Sequence, residues 1–201
     1  MNRTTTIVSW LLGIYLWAAP CLGGEINGRV VITKTLTKKR VTLPSYQLRA
    51  ASLPLREESP SVNELDRLAI YLEGPKLKAG TPVRVELNQE NIRFDPEILI
   101  VPVGSTISFP NSDPIFHNVF SFSKARQFDL GYYPAGQSRQ VKFEQLGVVQ
   151  IYCHLHPQMS AAILVVPSAW YTKPGKNGTF TLSEIPPGTH DVIAWHKSAG
   201  F

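Results

Sequence analysis

The sequence predicts an all-β protein, a sandwich or barrel of short strands. Three observations predict it. Pro (16) and Gly (14) are frequent, which suits a turn-rich β chain. Short alternating or wholly apolar runs recur with turn signals between them. No helix of useful length announces itself, and the best candidate, residues 61–72, is weak and overlaps a run that also reads as a strand. With 201 residues the chain has room for one large domain or two small ones. Hydrophobic residues make up 43% and charged residues 17%, which excludes wholesale disorder.

Residues 1–24 read as a secretory leader: Arg3 supplies the positive start, residues 7–19 the apolar stretch, and Cys21-Leu22-Gly23-Gly24 the small residues for cleavage. The apolar stretch falls short of the about 20 residues a membrane span needs, which leaves an uncleaved anchor as the alternative. Processing leaves Cys153 and Met159 as the only Cys and the only Met, and takes the net charge from +5 to +4 because Arg3 is the only charged residue removed. An exported chain with one Cys forms no internal disulfide. A lone thiol in an oxidising compartment calls for an occupant, and a metal is the natural one. The positive charge is scattered, with no basic stripe interleaved with aromatics, which argues against a nucleic-acid partner. Removal of the leader leaves no candidate membrane span.

Along the chain, residues 28–33 read as a strand, 43–60 as a Pro-containing loop, and 68–72 and 83–87 as strands. Residues 98–103 and 106–109 are strands around a turn at Gly104, and 117–122 follow. Residues 140–144 alternate, with Val141 and Phe143 on one face. In 148–153 the period of two puts Val149, Ile151 and Cys153 on one face, so the sulfur points where the apolar side chains point. The apolar run 161–166 is that of a strand buried in a sandwich. Asn177-Gly178 signals a hairpin turn before strands at 179–182 and 191–195. Asn177-Gly178-Thr179 also matches a glycosylation sequon, which the turn explains with less.

One segment carries the chemistry. Cys153-His154-Leu155-His156-Pro157-Gln158-Met159 places a thiol, an imidazole and a thioether within seven residues at a strand end, and His117 lies 36 residues upstream at the start of another strand. Two His, one Cys and a weak axial Met form the ligand set of blue copper. Thiolate and thioether favour Cu(I), imidazole suits both oxidation states, and a near-trigonal site serves both, so little reorganisation accompanies electron transfer. Each residue alone reads as core filler or a satisfied histidine; the only mature Cys and Met in one loop with His do not.

These residues resemble the cupredoxin family of plastocyanin, pseudoazurin and amicyanin over residues 83–166, with the amicyanin spacing of two residues between His and Met. Asn111-Ser112-Asp113-Pro114 leading into Phe116-His117-Asn118-Val119 is similar to the family's first-ligand segment. The resemblance implies a Greek-key β-sandwich binding one type 1 copper ion through His117, Cys153, His156 and axial Met159. It implies that Asn118 ties the two ligand loops together, with its N–H toward the sulfur. Where plastocyanin-type loops carry Pro, this chain has Leu155, whose N–H is a second donor available to the thiolate. Phe128 to Gly131 and the Pro-Pro-Gly tail (Pro186, Pro187, Gly188) are similar to proteins labelled methylamine utilisation proteins. Residues 28–32, 68–72 and 178–195 resemble the carboxypeptidase regulatory-like sandwich. The expected organisation is therefore a leader (1–24), N-terminal strands and loop (25–81), a cupredoxin domain (82–167) and a C-terminal β hairpin (168–201), with the flanking strands building a second small sandwich.

The function expected is periplasmic or otherwise exported single-electron transfer between redox partner proteins, by a chain that is not an enzyme. Five histidines are too few for the trinuclear cluster of a multicopper oxidase. A nitrite reductase needs a second copper with three His, for which only His154, His190 and His196 remain. His154 is expected on the opposite face to Cys153, and His190 and His196 at the surface. The alternative is a non-catalytic module in which copper is structural or held for delivery.

Overall fold

The computed structural model describes residues 23–34, 36 and 63–200. The leader, apart from Gly23 and Gly24, and the loop expected at 43–60 lie outside the described residues. The rest is β-structure: β1 (Gly24–Arg29), β2 (Leu68–Glu73), β3 (Arg84–Glu86), β4 (Asn88–Glu90), β5 (Arg93–Asp95), β6 (Ile98–Pro102), β7 (Ser105–Pro110), β8 (His117–Ser123), β9 (Arg126–Tyr133), β10 (Ser138–Phe143), β11 (Gly147–Tyr152), β12 (Ser160–Val166), β13 (Tyr171–Thr172), β14 (Thr179–Ile185) and β15 (Asp191–His196). The helical reading of 61–72 gives way to a single 3-10 turn, Glu64–Arg67, capped by the Asn63 side chain. The apolar run after it, residues 68–72, extends instead.

Two facing sheets form the main sandwich, β10-β7-β3 and β6-β12-β11-β8-β9. The chain crosses between them repeatedly in Greek-key order. β3 runs parallel to β7 and β6 parallel to β12; the other pairs are antiparallel. Their core holds Ile107, Phe109, Val141 and Phe143 from one sheet and Val119, Val149, Ile151, Cys153, Ala161, Ile163 and Val165 from the other.

The second face of the five-stranded sheet is covered as well. Ile98, Ile100, Ala162, Leu164 and Val166 pack against Ala69, Tyr71 and Trp195 of a sheet ordered β13-β2-β15. That sheet's far face, Ile70 and Leu72, meets Leu182 and Ile185 of the pair β1-β14. The flanking strands thus form two further small sheets, and four sheet layers stack in succession. Strand β12 is buried on both faces, odd residues inward and even residues outward, which is why 161–166 is apolar without alternation.

Three expectations are corrected. The first strand is Gly24–Arg29 rather than 28–33, because its partner β14 begins at Thr179; Val30 N–H donates to Gly178 O (2.8 Å) as the last rung, and among the described residues no partner continues beyond. The C-terminal segment does not close on itself as a hairpin. Asn177-Gly178 does turn, with Gly178 N–H donating to Gly175 O (2.8 Å) and Gly178 at φ 83°. The strands around it part, however: β13 and β15 flank β2, while β14 pairs with β1. Strands β4, β5, β9 and β13 were not foreseen. The β4–β5 hairpin lies beside the loop after β7, where Ser112 N–H donates to Gln89 O and the Ser112 hydroxyl to Asn88 Oδ1 (both 2.9 Å).

Candidate metal centre

The site sits at one end of the main sandwich, where β8 starts and β11 ends. His117 opens β8 and is fully buried; Cys153 follows the last residue of β11 with its side chain in the core. Beyond Cys153 the chain bends twice and turns back, and Met159 N–H donates to His156 O (2.8 Å) to close that turn. The turn puts His156, half-buried, over Cys153 and returns Met159 to the core at 1% exposure. Of the four ligands read from the sequence, the structure brings His117, Cys153 and His156 into one donor cluster and packs Met159 in the same core.

The donor atoms converge. His117 Nδ1 is 3.0 Å from His156 Nδ1, and Cys153 Sγ is 3.9 Å from the first and 3.7 Å from the second. A metal bonded to nitrogen at about 2.0–2.1 Å and to thiolate sulfur at about 2.3 Å, near-trigonal, would separate the nitrogens by about 3.5 Å and each from sulfur by about 3.8 Å. The residues therefore fit such an ion with small adjustments, and one soft and two borderline donors suit copper.

Both nitrogens facing the sulfur must offer lone pairs, so each ring must carry its proton on Nε2. For His117 the structure shows what arranges this. His117 Nε2 lies 2.8 Å from Asp113 Oδ2, and the Asp113 side chain is itself almost buried. A carboxylate accepts only, so Nε2 is the protonated nitrogen and Nδ1 is left free for a metal. Burial of Asp113 pushes its carboxyl up, but the N–H groups of Ile92, His117 and Asn91 together hold it below the usual carboxylate range. His156 is held below the ordinary histidine range by burial and then by the neighbouring His117, which favours the neutral, ligating form.

The loop carrying Asp113 is pinned from several sides. Asn111 Nδ2 donates to Ile115 O (2.8 Å) and Tyr133 O (3.1 Å), while its Oδ1 accepts from Asp113 N–H (3.0 Å). The β4–β5 hairpin tip reaches the same carboxylate: Asn91 N–H donates to Asp113 Oδ1 (2.7 Å) and Ile92 N–H to Oδ2 (2.9 Å). Both tip residues have φ 55°. A left-handed conformation costs on the order of 1–3 kcal/mol, most for a β-branched residue such as Ile92. The two hydrogen bonds to a charged acceptor, and the packing of Ile92 on the main core, offset that cost.

Asn118 joins the two ligand segments through its side chain, accepting from His154 N–H (3.4 Å) and donating to Asp129 Oδ1 (2.7 Å). Leu155 stands on the outside of the ligand loop at 48% exposure. His154 points away from Cys153, stacked on Phe120 with ring centroids 3.8 Å apart and planes at 6°. His190 is half-buried, with Nε2 2.8 Å from Pro186 O. His196 is not the surface residue expected: it is 4% exposed, with Nε2 3.1 Å from Glu64 Oε2. The 3-10 turn Glu64–Arg67 covers the end of strand β15, a contact between distant segments that no local pattern announces. Sequence reasoning also missed Asp113 as a partner of His117; a carboxylate four residues before a ligand His was the available signal.

No family model matches the chain, and no curated protein matches it. Solved structures do. The chain is similar to a purple cupredoxin from Nitrosopumilus maritimus, at 28% identity over 38% of this chain and 84% of that one, with a TM-score of 0.35. It is similar to a copper-containing nitrite reductase from Thermus scotoductus at 24% identity over 47% of this chain and 25% of that one, with a TM-score of 0.40. It is also similar to a variant of amicyanin solved with Cu(I), at 19% identity over 41% of this chain and 81% of that one, with a TM-score of 0.39.

Proposed function

We propose that this chain is an exported cupredoxin that binds one type 1 copper ion through His117, Cys153 and His156, with Met159 axial. On this reading it carries single electrons between redox partner proteins and is not an enzyme. The observation that carries the proposal is the convergence of the Cys153 thiol and two imidazole Nδ1 atoms, all within 4.8 Å of one another, at the buried end of a β-sandwich. A copper ion held there supplies a Cu(I)/Cu(II) couple. The protein's part is to keep the donors in place. Cys153 is fixed by its strand end and the core around it. His117 is fixed at Nε2 by the Asp113 carboxylate. The half-buried His156 is the ligand nearest solvent and offers the route by which an electron leaves toward a partner.

Purified, copper-loaded protein should show an intense thiolate-to-copper absorption band that bleaches on reduction. Cys153→Ser should abolish the band, because Cys153 is the only thiol outside the leader. A variant that stays blue would remove Cys153 from the ligand set. A wild-type protein that binds copper tightly without the band would favour a structural or delivery role instead.

A further inference from the structure

We propose that Asp113 is a positioning residue for the metal centre, and that the tip of the β4–β5 hairpin holds it in that role. Asp113 would fix the proton of His117 on Nε2 and set how strongly Nδ1 donates to the metal.

Three observations carry the inference. Asp113 Oδ2 faces His117 Nε2 at 2.8 Å in a pair whose side chains are 9% and 0% exposed, so bulk water does not compete for the bond. The carboxylate is held at both oxygens by the Asn91 and Ile92 N–H groups, so it cannot swing away from the imidazole. Those two N–H groups converge only because consecutive residues take φ 55°, one of them an isoleucine. Non-glycine residues adopt that conformation where surrounding structure over-determines it. The hairpin tip is therefore a two-donor cradle, and its load is the residue that orients a metal ligand.

The chemistry has a sign. A carboxylate accepting the Nε2 proton raises the electron density on the ring, so Nδ1 becomes a stronger donor. A stronger donor favours Cu(II) over Cu(I). Without the charge, Nδ1 donates less and the tautomer is no longer fixed.

The inference rests on the copper-binding reading, so the test has an arm that needs no metal. In the metal-free wild-type protein, nitrogen-15 NMR of His117 should show the Nε2–H tautomer. Asp113→Ala should give a mixture of tautomers and a copper affinity about 10–100-fold weaker, and Asp113→Glu should recover much of the loss. Should Asp113→Ala not fold, Asp113→Asn keeps the size and an acceptor; its copper-loaded form should have a higher reduction potential than wild type, because a neutral amide pulls less on the Nε2 proton. Ser112→Ala removes only the hydroxyl bond to Asn88 and keeps both the Ser112 N–H bond to Gln89 O and the two tip N–H donors, so it should change neither tautomer nor affinity. An unaltered tautomer and affinity in Asp113→Ala would overturn the proposal. So would an unaltered potential in Asp113→Asn, or a loss in Ser112→Ala equal to that in Asp113→Ala. Failure of the wild-type protein to bind copper would instead overturn the copper-binding reading, with the tautomer result standing on its own.

Discussion

The two faces of the five-stranded sheet do different work. On the inner face the core ends in a group of buried polar residues: Gln89, Asn111, Asp113, His117 and Asn118, each 6% exposed or less. On the outer face Ile98, Ile100, Leu164 and Val166 meet Ala69, Tyr71 and Trp195 in an apolar layer. Burying a polar group costs free energy unless its partners are supplied, and the inner end supplies them for most of these side chains, Gln89 Oε1 being the exception. The same strands thus serve two ends. Their inward residues hold a site for chemistry; their outward residues anchor a second layer that adds stability and no donors to the site.

The largest effect that can test this division comes from the outer layer. Trp195→Ala removes an indole that is 3% exposed and should cost about 3–5 kcal/mol, read by denaturant unfolding. The folded variant should keep the wild-type copper spectrum. A changed spectrum would mean that the two faces are coupled.

Next come two tyrosines, one on each side. Burial raises Tyr71 in the outer layer and Tyr133 in the inner core to about 12. Each phenol stays neutral in the folded state past the pH at which it ionises in the unfolded chain. Each contribution is therefore complete below about pH 10 and lost as pH rises toward about 12, with up to about 3 kcal/mol at stake per residue. Spectrophotometric titration should show both ionising together with unfolding, and Tyr71→Phe should remove one of them. Early titration of Tyr133 would mean that water reaches the inner core.

At the site, Met159→Gln should keep copper bound, alter the spectrum and lower the potential, because a long axial ligand tunes the metal more than it holds it. Voltammetry without a shift would remove Met159 from the axial position. The smallest effect is expected from Leu155→Pro, which deletes the backbone N–H two residues after Cys153. A donor to the sulfur stabilises Cu(I), so the variant's potential should fall, by an amount on the order of 1 kcal/mol. An unchanged potential with the band intact would mean that this N–H does not act on the sulfur.

How legible all this was in the sequence followed the range of the interactions. Cys153, His156 and Met159 are read together because one turn closed by a local hydrogen bond holds them. His117 was legible because its own strand starts with it. The inward placement of Val149, Ile151 and Cys153 follows from the period of two. What escaped depends on contacts across the chain. Strand β4–β5 is three residues on each side of a tip whose Ile92 has no turn propensity, so nothing local marks it. The split of β14 from β15 is decided by which edges remain open after β2 forms. Burial of His196 needs Glu64, which is 132 residues earlier.

The burial of β12 on both faces has a consequence for the order of assembly. Every strand of the main sandwich lies between Arg84 and Val166, a continuous stretch. The sheet that covers its outer face pairs Leu68–Glu73 with Asp191–His196, segments joined only when the whole intervening chain is in place. Contacts so distant in sequence form late. A chain emerging from its N-terminal end can bring His117, Cys153 and His156 together while Ile98, Ile100 and Leu164 still face water. That face would stay exposed to water until β15 docks beside β2.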